Sequence, residues 1–236
     1  MDGGGASGNY KETDFTMDIS KKVKSNLEKA GITVKLTHDE GDIDKNHVMD
    51  EYNKGGRAVI PNEVKSKYTF SIHINKSGSS KVKGIEVYTP SDINYDLVKD
   101  IVNNITNNTS LGYSSNRLYK KFDGIYTHNF TESEVKSAID GYDEKNYKHY
   151  NVTTNSNYLY MIRETGGFMT GAYVDSSNPD KVGVNPYYDS NIGNESYLLE
   201  LGYISNSTDV NTLKEEQDTL AKAISDSIIK EINEKM

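Results

Sequence analysis

The sequence predicts an α/β fold: a single three-layer α/β/α domain with a mostly parallel or mixed central sheet and two irregular insertions. Three observations predict it. One-sided helical stripes recur at the start, middle and end of the chain, short β-rich runs fall between them, and no linker or internal repeat divides the sequence.

The elements follow in order. Phe15 to Ala30 carries Ile19, Val23 and Leu27 at four-residue spacing, and Gly31 stands where a helix commonly ends. ITVKLT (32–37) alternates and is β-rich, which predicts a strand, with the polar stretch His38 to Asn46 as the loop after it. His47 to Tyr52 and Arg57 to Lys65 read as short helices, YTFSIHIN (68–75) and KGIEVYTP (83–90) as strands. Asp92 to Asn107 places Ile93, Leu97, Ile101 and Ile105 on one helical face, with Ser91 as N-cap. Thr109 to Asn157 is rich in Tyr, Asn, Ser and Gly and reads as the first insertion, with one helical segment at Glu132 to Ile139. YLYMIRE (158–164) resumes strand character, 165–195 forms the second insertion, and YLLELGYIS (197–205) is the last strand. A helix from about Thr208 to Ile232 closes the chain, its stripe of Val210, Leu213, Leu220, Ala223, Ile224, Ile228 and Ile232 packing on the sheet.

Composition narrows the chemistry. Of 236 residues, 34% are hydrophobic and 26% charged, with a net charge of -8, a balance that suits a folded, hydrated surface and disfavours nucleic acid as partner. Without cysteine, neither a disulfide framework nor a thiolate metal site is available, so any metal rests on His and carboxylates. No apolar run has the roughly 20 residues of a membrane span, and no secretory signal opens the chain.

Three residues stand out. In FSIHIN the strand period of two puts Phe70, Ile72 and Ile74 on one face and Ser71, His73 and Asn75 on the other. His73 alone reads as a hydrogen-bonded strand histidine or a metal ligand. Glu200 interrupts an apolar strand on the face opposite Leu199 and Leu201, where burying a lone carboxylate costs several kcal/mol, so it must be salt-bridged, protonated or placed at the rim of a site where a metal or substrate compensates it. Glu12 stands just before a helix, where the dipole alone accounts for a carboxylate, but the Gly3-Gly4-Gly5-Ala6-Ser7-Gly8 stretch ahead of it would let backbone approach an ion or a sugar.

Taken in order, Asp2 to Gly8 with Lys11-Glu12, the following helix and ITVKLT strand, Arg57 with Asn62, Ser71-Ile72-His73-Ile74-Asn75, Gly84-Ile85-Glu86-Val87-Tyr88 and Leu199-Glu200-Leu201-Gly202-Tyr203-Ile204-Ser205-Asn206 resemble the zinc-dependent N-acetylmuramoyl-L-alanine amidases of the type 3 family. The resemblance covers roughly residues 1–107 and 197–235; its specific parts are the Ser-Ile-His-x-Asn and Glu-x-Gly-aromatic-Ile-Ser-Asn blocks. It implies one zinc ion held by two His and one Glu, with Glu12 and His73 as ligands and Glu200 as the catalytic carboxylate. The family's other ligand sits in a Gly-His-Gly-Gly turn at the end of the first strand, which places it upstream of Met1, so the chain is expected to be truncated at its N-terminus. His38, His47, His128 and His149 match no ligand motif.

The implied reaction is hydrolysis of the amide between N-acetylmuramic acid and the L-alanine of the stem peptide, by a bacterial, secreted monomer acting in the cell wall or outside the cell. Peptidoglycan is the implied partner, without stable membrane insertion. The alternative is a peptidoglycan-binding module with an incomplete metal site. Tyr142, Tyr147, Tyr150, Tyr173, Tyr187 and Tyr188 in the insertions read mostly as surface residues, and Arg163 and Glu164 as contacts for the stem peptide or for each other.

Overall fold

The computed structural model describes residues 6–7, 10–38, 55–140, 152–166 and 194–235. A short hairpin, β1 (Ala6–Ser7) with β2 (Tyr10–Lys11), leads into α1 (Thr13–Lys29). After it come α2 (Ile60–Glu63), β3 (Tyr68–Asn75), β4 (Glu86–Tyr88), α3 (Asp96–Asn108), β5 (Lys120–Phe122), β6 (Ile125–Tyr126), α4 (Glu132–Asp140), α5 (Tyr160–Thr165), β7 (Glu195–Tyr203), α6 (Ser207–Glu215) and α7 (Gln217–Glu234).

The main sheet runs β3-β7-β4-β6-β5. It is mixed: β3 and β7 are parallel, β4 and β6 are parallel, and the two pairs meet antiparallel between β4 and β7. One face is apolar. Val87, Ile125, Leu199 and Leu201 are fully buried there and join a core with Phe15, Ile19, Val23 and Leu27 of α1, Leu97, Val98, Ile101 and Ile105 of α3, and Leu220, Ile224 and Ile228 of α7. These are the stripes that helical periodicity predicts; burying each large aliphatic side chain contributes about 1.5–3 kcal/mol. The alternate residues of β3, β7 and β4 point to the opposite face, where Thr165 of α5 reaches Ser196 of β7 at 2.6 Å.

Several expectations are corrected. Residues 32–37 pair with no described strand; Ile32 and Val34 pack partly against the core and the Val34 carbonyl accepts from Lys24 at 2.8 Å. Alternation alone does not make a strand without a neighbour to complete the ladder. YLYMIRE is helical, not extended, because its short apolar run packs one turn of α5 on β7, and periodicity cannot separate the two states over so few residues. Ser91 does not cap α3: the helix starts after Tyr95, and the Asp96 amide donates to the Asn94 side chain at 3.0 Å. The closing helix breaks at Glu216, whose carboxylate turns to accept from the amide and hydroxyl of Ser110 at 2.9 and 2.5 Å. Within 109–157, β5 and β6 extend the main sheet, so part of that stretch is framework and not excursion. Its helix α4 opens on a reciprocal cap, Thr131 N donating to Glu134 at 2.8 Å and Glu134 N to Thr131 at 3.2 Å. The helix expected at His47 to Tyr52 and nearly all of 165–195 lie outside the described residues.

Candidate active site

The polar face of β3 is built by alternation, and the structure puts Ser71, His73 and Asn75 on it. His73 is held from both sides: Ser71 Oγ lies 2.9 Å from its Nε2 and Glu12 Oε1 lies 2.8 Å from its Nδ1. Glu12 occupies the N-cap position of α1 but makes no side-chain cap. Its carboxylate turns toward β3, where the same Oε1 accepts the Ile74 amide at 3.0 Å. The helix dipole is therefore not what this side chain serves.

Glu200 lies directly across the β3–β7 ladder from His73 and, on its other side, across the β7–β4 ladder from Glu86. Side chains opposite one another in a ladder share a face. His73, Glu200 and Glu86 thus form one row across three strands, and Glu12 reaches that row from the start of α1. Glu12 and His73 side chains are 12% and 22% exposed, sheltered yet reachable by solvent. Among the described residues no three His, Cys, Asp or Glu converge as a metal-binding group. The His73–Glu12 pair supplies two.

The residues around Glu200 explain their own sequence. Gly202 adopts φ +94°, and a Cβ there would meet Asp209 Oδ2 at 3.0 Å. Asp209 comes so close because its Oδ2 accepts the amides of Tyr203 and Gly84, both at 2.8 Å. Burial pushes the Asp209 carboxyl above its usual range, and those two amide bonds and Lys83 oppose the shift. Asn206 caps α6, accepting from Thr208 N at 3.0 Å and Asp209 N at 3.1 Å, and donates to the Ser80 carbonyl at 2.7 Å. The Gly, Tyr and Asn of this block are thus the turn, the Glu86 contact and the helix cap that fix the end of β7 beyond Glu200.

Glu86 is a residue that sequence reasoning missed as a site group. It is fully buried, and it accepts from Ser114 at 2.6 Å, Tyr88 at 2.8 Å, Asn75 at 3.2 Å and the Tyr203 hydroxyl. The signal was present: Glu86 interrupts Ile85 and Val87 just as Glu200 interrupts Leu199 and Leu201.

Other expected residues stand elsewhere. Arg163 and Glu164 pair with each other at 2.8 Å, both buried in α5. Arg57 precedes α2, and Asn62 is buried within it. His128 stacks on Tyr119 with centroids 3.7 Å apart and lies 3.1 Å from Glu134, and His38 lies 3.1 Å from Thr37 Oγ1. The glycines at 3–5 and 8, His47, His149 and the six insertion tyrosines lie outside the described residues.

Among solved structures, the chain is similar to Cwp6 from Clostridium difficile (20% identity, TM-score 0.60, covering 95% of this chain and 26% of that one). It is also similar to the N-acetylmuramoyl-L-alanine amidase AmiC2 of Nostoc punctiforme (21%, TM-score 0.58, 98% and 90%). The catalytic domain of CwlV, an N-acetylmuramoyl-L-alanine amidase from Bacillus (Paenibacillus) polymyxa var. colistinus, matches at 21% and TM-score 0.58, covering 98% and 91%. The chain thus spans about a quarter of Cwp6 and most of the other two; at these identities the likeness establishes the α/β fold. No curated protein matches the chain. The N-acetylmuramoyl-L-alanine amidase family description matches residues 1–230, nearly the whole chain, and on that match the chain belongs to this family.

Proposed function

We propose that the chain is a peptidoglycan amidase, cutting the bond between N-acetylmuramic acid and the L-alanine of the stem peptide, with Glu200 as general base and acid. The observation that carries this reading is the row of His73 and Glu200 across one ladder, with Glu12 2.8 Å from the His73 ring. A glutamate oxygen and an imidazole nitrogen that close are donors of the types zinc takes, though a zinc site normally uses three protein ligands and the described residues bring together two. Glu12 and His73 would hold the ion. When bound, zinc supplies Lewis acidity toward the scissile carbonyl and lowers the pKa of water.

The chain's own residues do the rest. Ser71 Oγ engages His73 Nε2 and fixes the ring, leaving Nδ1 turned toward Glu12 as the nitrogen that would take the ion. Glu200, half-buried beside them, accepts a proton from the attacking water and returns it to the departing amine nitrogen. The family points to a cell-wall substrate and so to action outside the membrane; among the described residues no helix is long and apolar enough to cross one.

The test is digestion of purified peptidoglycan in the presence of zinc, reading new L-alanine amino groups and zinc bound per chain. Release of L-alanine amines that Glu200→Gln abolishes supports the reading. Binding to peptidoglycan without any release overturns it in favour of a binding module.

A further inference from the structure

Glu86 takes no part in the proton transfer above, yet its carboxylate is fully buried on the face that carries His73 and Glu200. Both of its oxygens are engaged. Oε1 accepts from Ser114 Oγ at 2.6 Å and from the Tyr203 hydroxyl, and Oε2 accepts from the Tyr88 hydroxyl at 2.8 Å and Asn75 Nδ2 at 3.2 Å. A carboxylate is acceptor-only, and four donors occupy most of its capacity, which suits it to hold other groups in place. Burial, reinforced by Glu86 itself, pushes the Tyr88 and Tyr203 hydroxyls far above the ordinary tyrosine range, so both remain donors.

Two of the four donors come from the strands that carry the site. Asn75 lies two residues beyond His73 on β3, and Tyr203 three beyond Glu200 on β7. Between those points the ladder slips: His73 pairs with Glu200, but the next pairing is Asn75 with Tyr203, so β7 advances three residues while β3 advances two. Gly202 sits in this irregularity at φ +94°. A slip of one residue flips side chains to the other face, so the bulge needs something to set its position. Glu86, reaching from β4, holds both residues of the first pairing past the bulge.

We propose that Glu86 is a positioning residue: by holding Asn75 and Tyr203 together across the ladder just past the bulge, it keeps Glu200 in line with His73. A carboxylate serving stability alone gives no reason for its donors to fall where β3 and β7 change register, since well-packed apolar side chains often stabilise a buried site equally well. The catalytic consequence rests on the amidase reading above; the claim about register does not.

Hydrogen exchange on the full chain tests the register claim without activity, through the Ile204 amide, which donates to the Asn75 carbonyl at 2.8 Å just past the bulge. In Glu86→Gln and in Tyr203→Phe, Ile204 is expected to exchange about tenfold faster while amides of α7 are unchanged. In peptidoglycan turnover, Glu86→Gln is expected to lower kcat about a hundredfold with KM held, the signature of misplaced groups and not of lost binding. Unchanged Ile204 protection, or acceleration shared equally by α7, overturns the proposal. If Glu86→Gln does not fold, Tyr203→Phe, which removes one hydroxyl and keeps the ring, decides alone. A wild-type chain that binds peptidoglycan but releases no L-alanine amines sinks the amidase reading, and the exchange result still decides the role of Glu86.

Discussion

One carboxylate oxygen joins Glu12 to His73: Glu12 Oε1 stands 2.8 Å from His73 Nδ1 while it accepts the Ile74 amide at 3.0 Å. The start of α1 is thereby tied to the end of β3 through the two groups proposed to hold zinc. Removing the metal interaction and removing the backbone contact are consequently separable.

Glu12→Gln retains an oxygen for the Ile74 amide but loses the anionic donor. Zinc affinity, measured by calorimetry, is expected to fall at least about tenfold with little change in urea stability. Glu12→Ala also strips the Ile74 amide of this acceptor, and is expected to destabilise the chain by about 1–3 kcal/mol in the same urea titration.

Glu200→Gln keeps the shape and removes the base. The rate of L-alanine amine release is expected to drop by about 10²–10⁴ with zinc uptake unchanged, measured side by side on one peptidoglycan preparation.

Gly202→Ala meets two obstacles at once, a φ of +94° and an Asp209 oxygen 3.0 Å from the new Cβ. It is expected to cost about 1–3 kcal/mol in denaturant unfolding and to lower activity with stability, because the strained turn follows Glu200 by two residues.

Asp209 gives a pH signature. Burial raises its folded pKa above its ordinary value of 3.8, so the native state holds this proton more tightly than the unfolded chain does. Its contribution to stability is therefore fully present below pH 3.8, falls as pH rises toward the folded pKa, and is level above it. Asp209→Asn, whose side-chain oxygen still accepts the Tyr203 and Gly84 amides, is expected to lack that decline; the difference between wild-type and variant stability across acidic pH checks it.

Much of this was legible in the sequence because burial writes itself into spacing. The four-residue stripe of Ile19, Val23 and Leu27 forms the buried face of α1, and the alternation in FSIHIN separates Ile72 from His73 as β3 does. Glu200 stood out because a carboxylate on an otherwise apolar strand demands compensation. Glu12 carried a weaker local signal, the Gly-rich stretch ahead of it, and its place in a series of motifs singled it out. YLYMIRE misled because aromatic and apolar residues over one turn fit a helix as well as a strand, and packing on β7 chose the helix.

The sequence by itself determined the class of fold, the helical faces that meet the sheet and the strand faces on which His73 and Glu200 lie, since those follow from periods fixed by backbone geometry. Only the tertiary structure decided which strands adjoin, and with that the row of His73, Glu200 and Glu86, the turn of Glu12 onto β3 and the bulge that Asn75 and Tyr203 share. Neighbourhood between strands distant in the chain is set by long-range packing and ladder pairing, and no local pattern of residues encodes it.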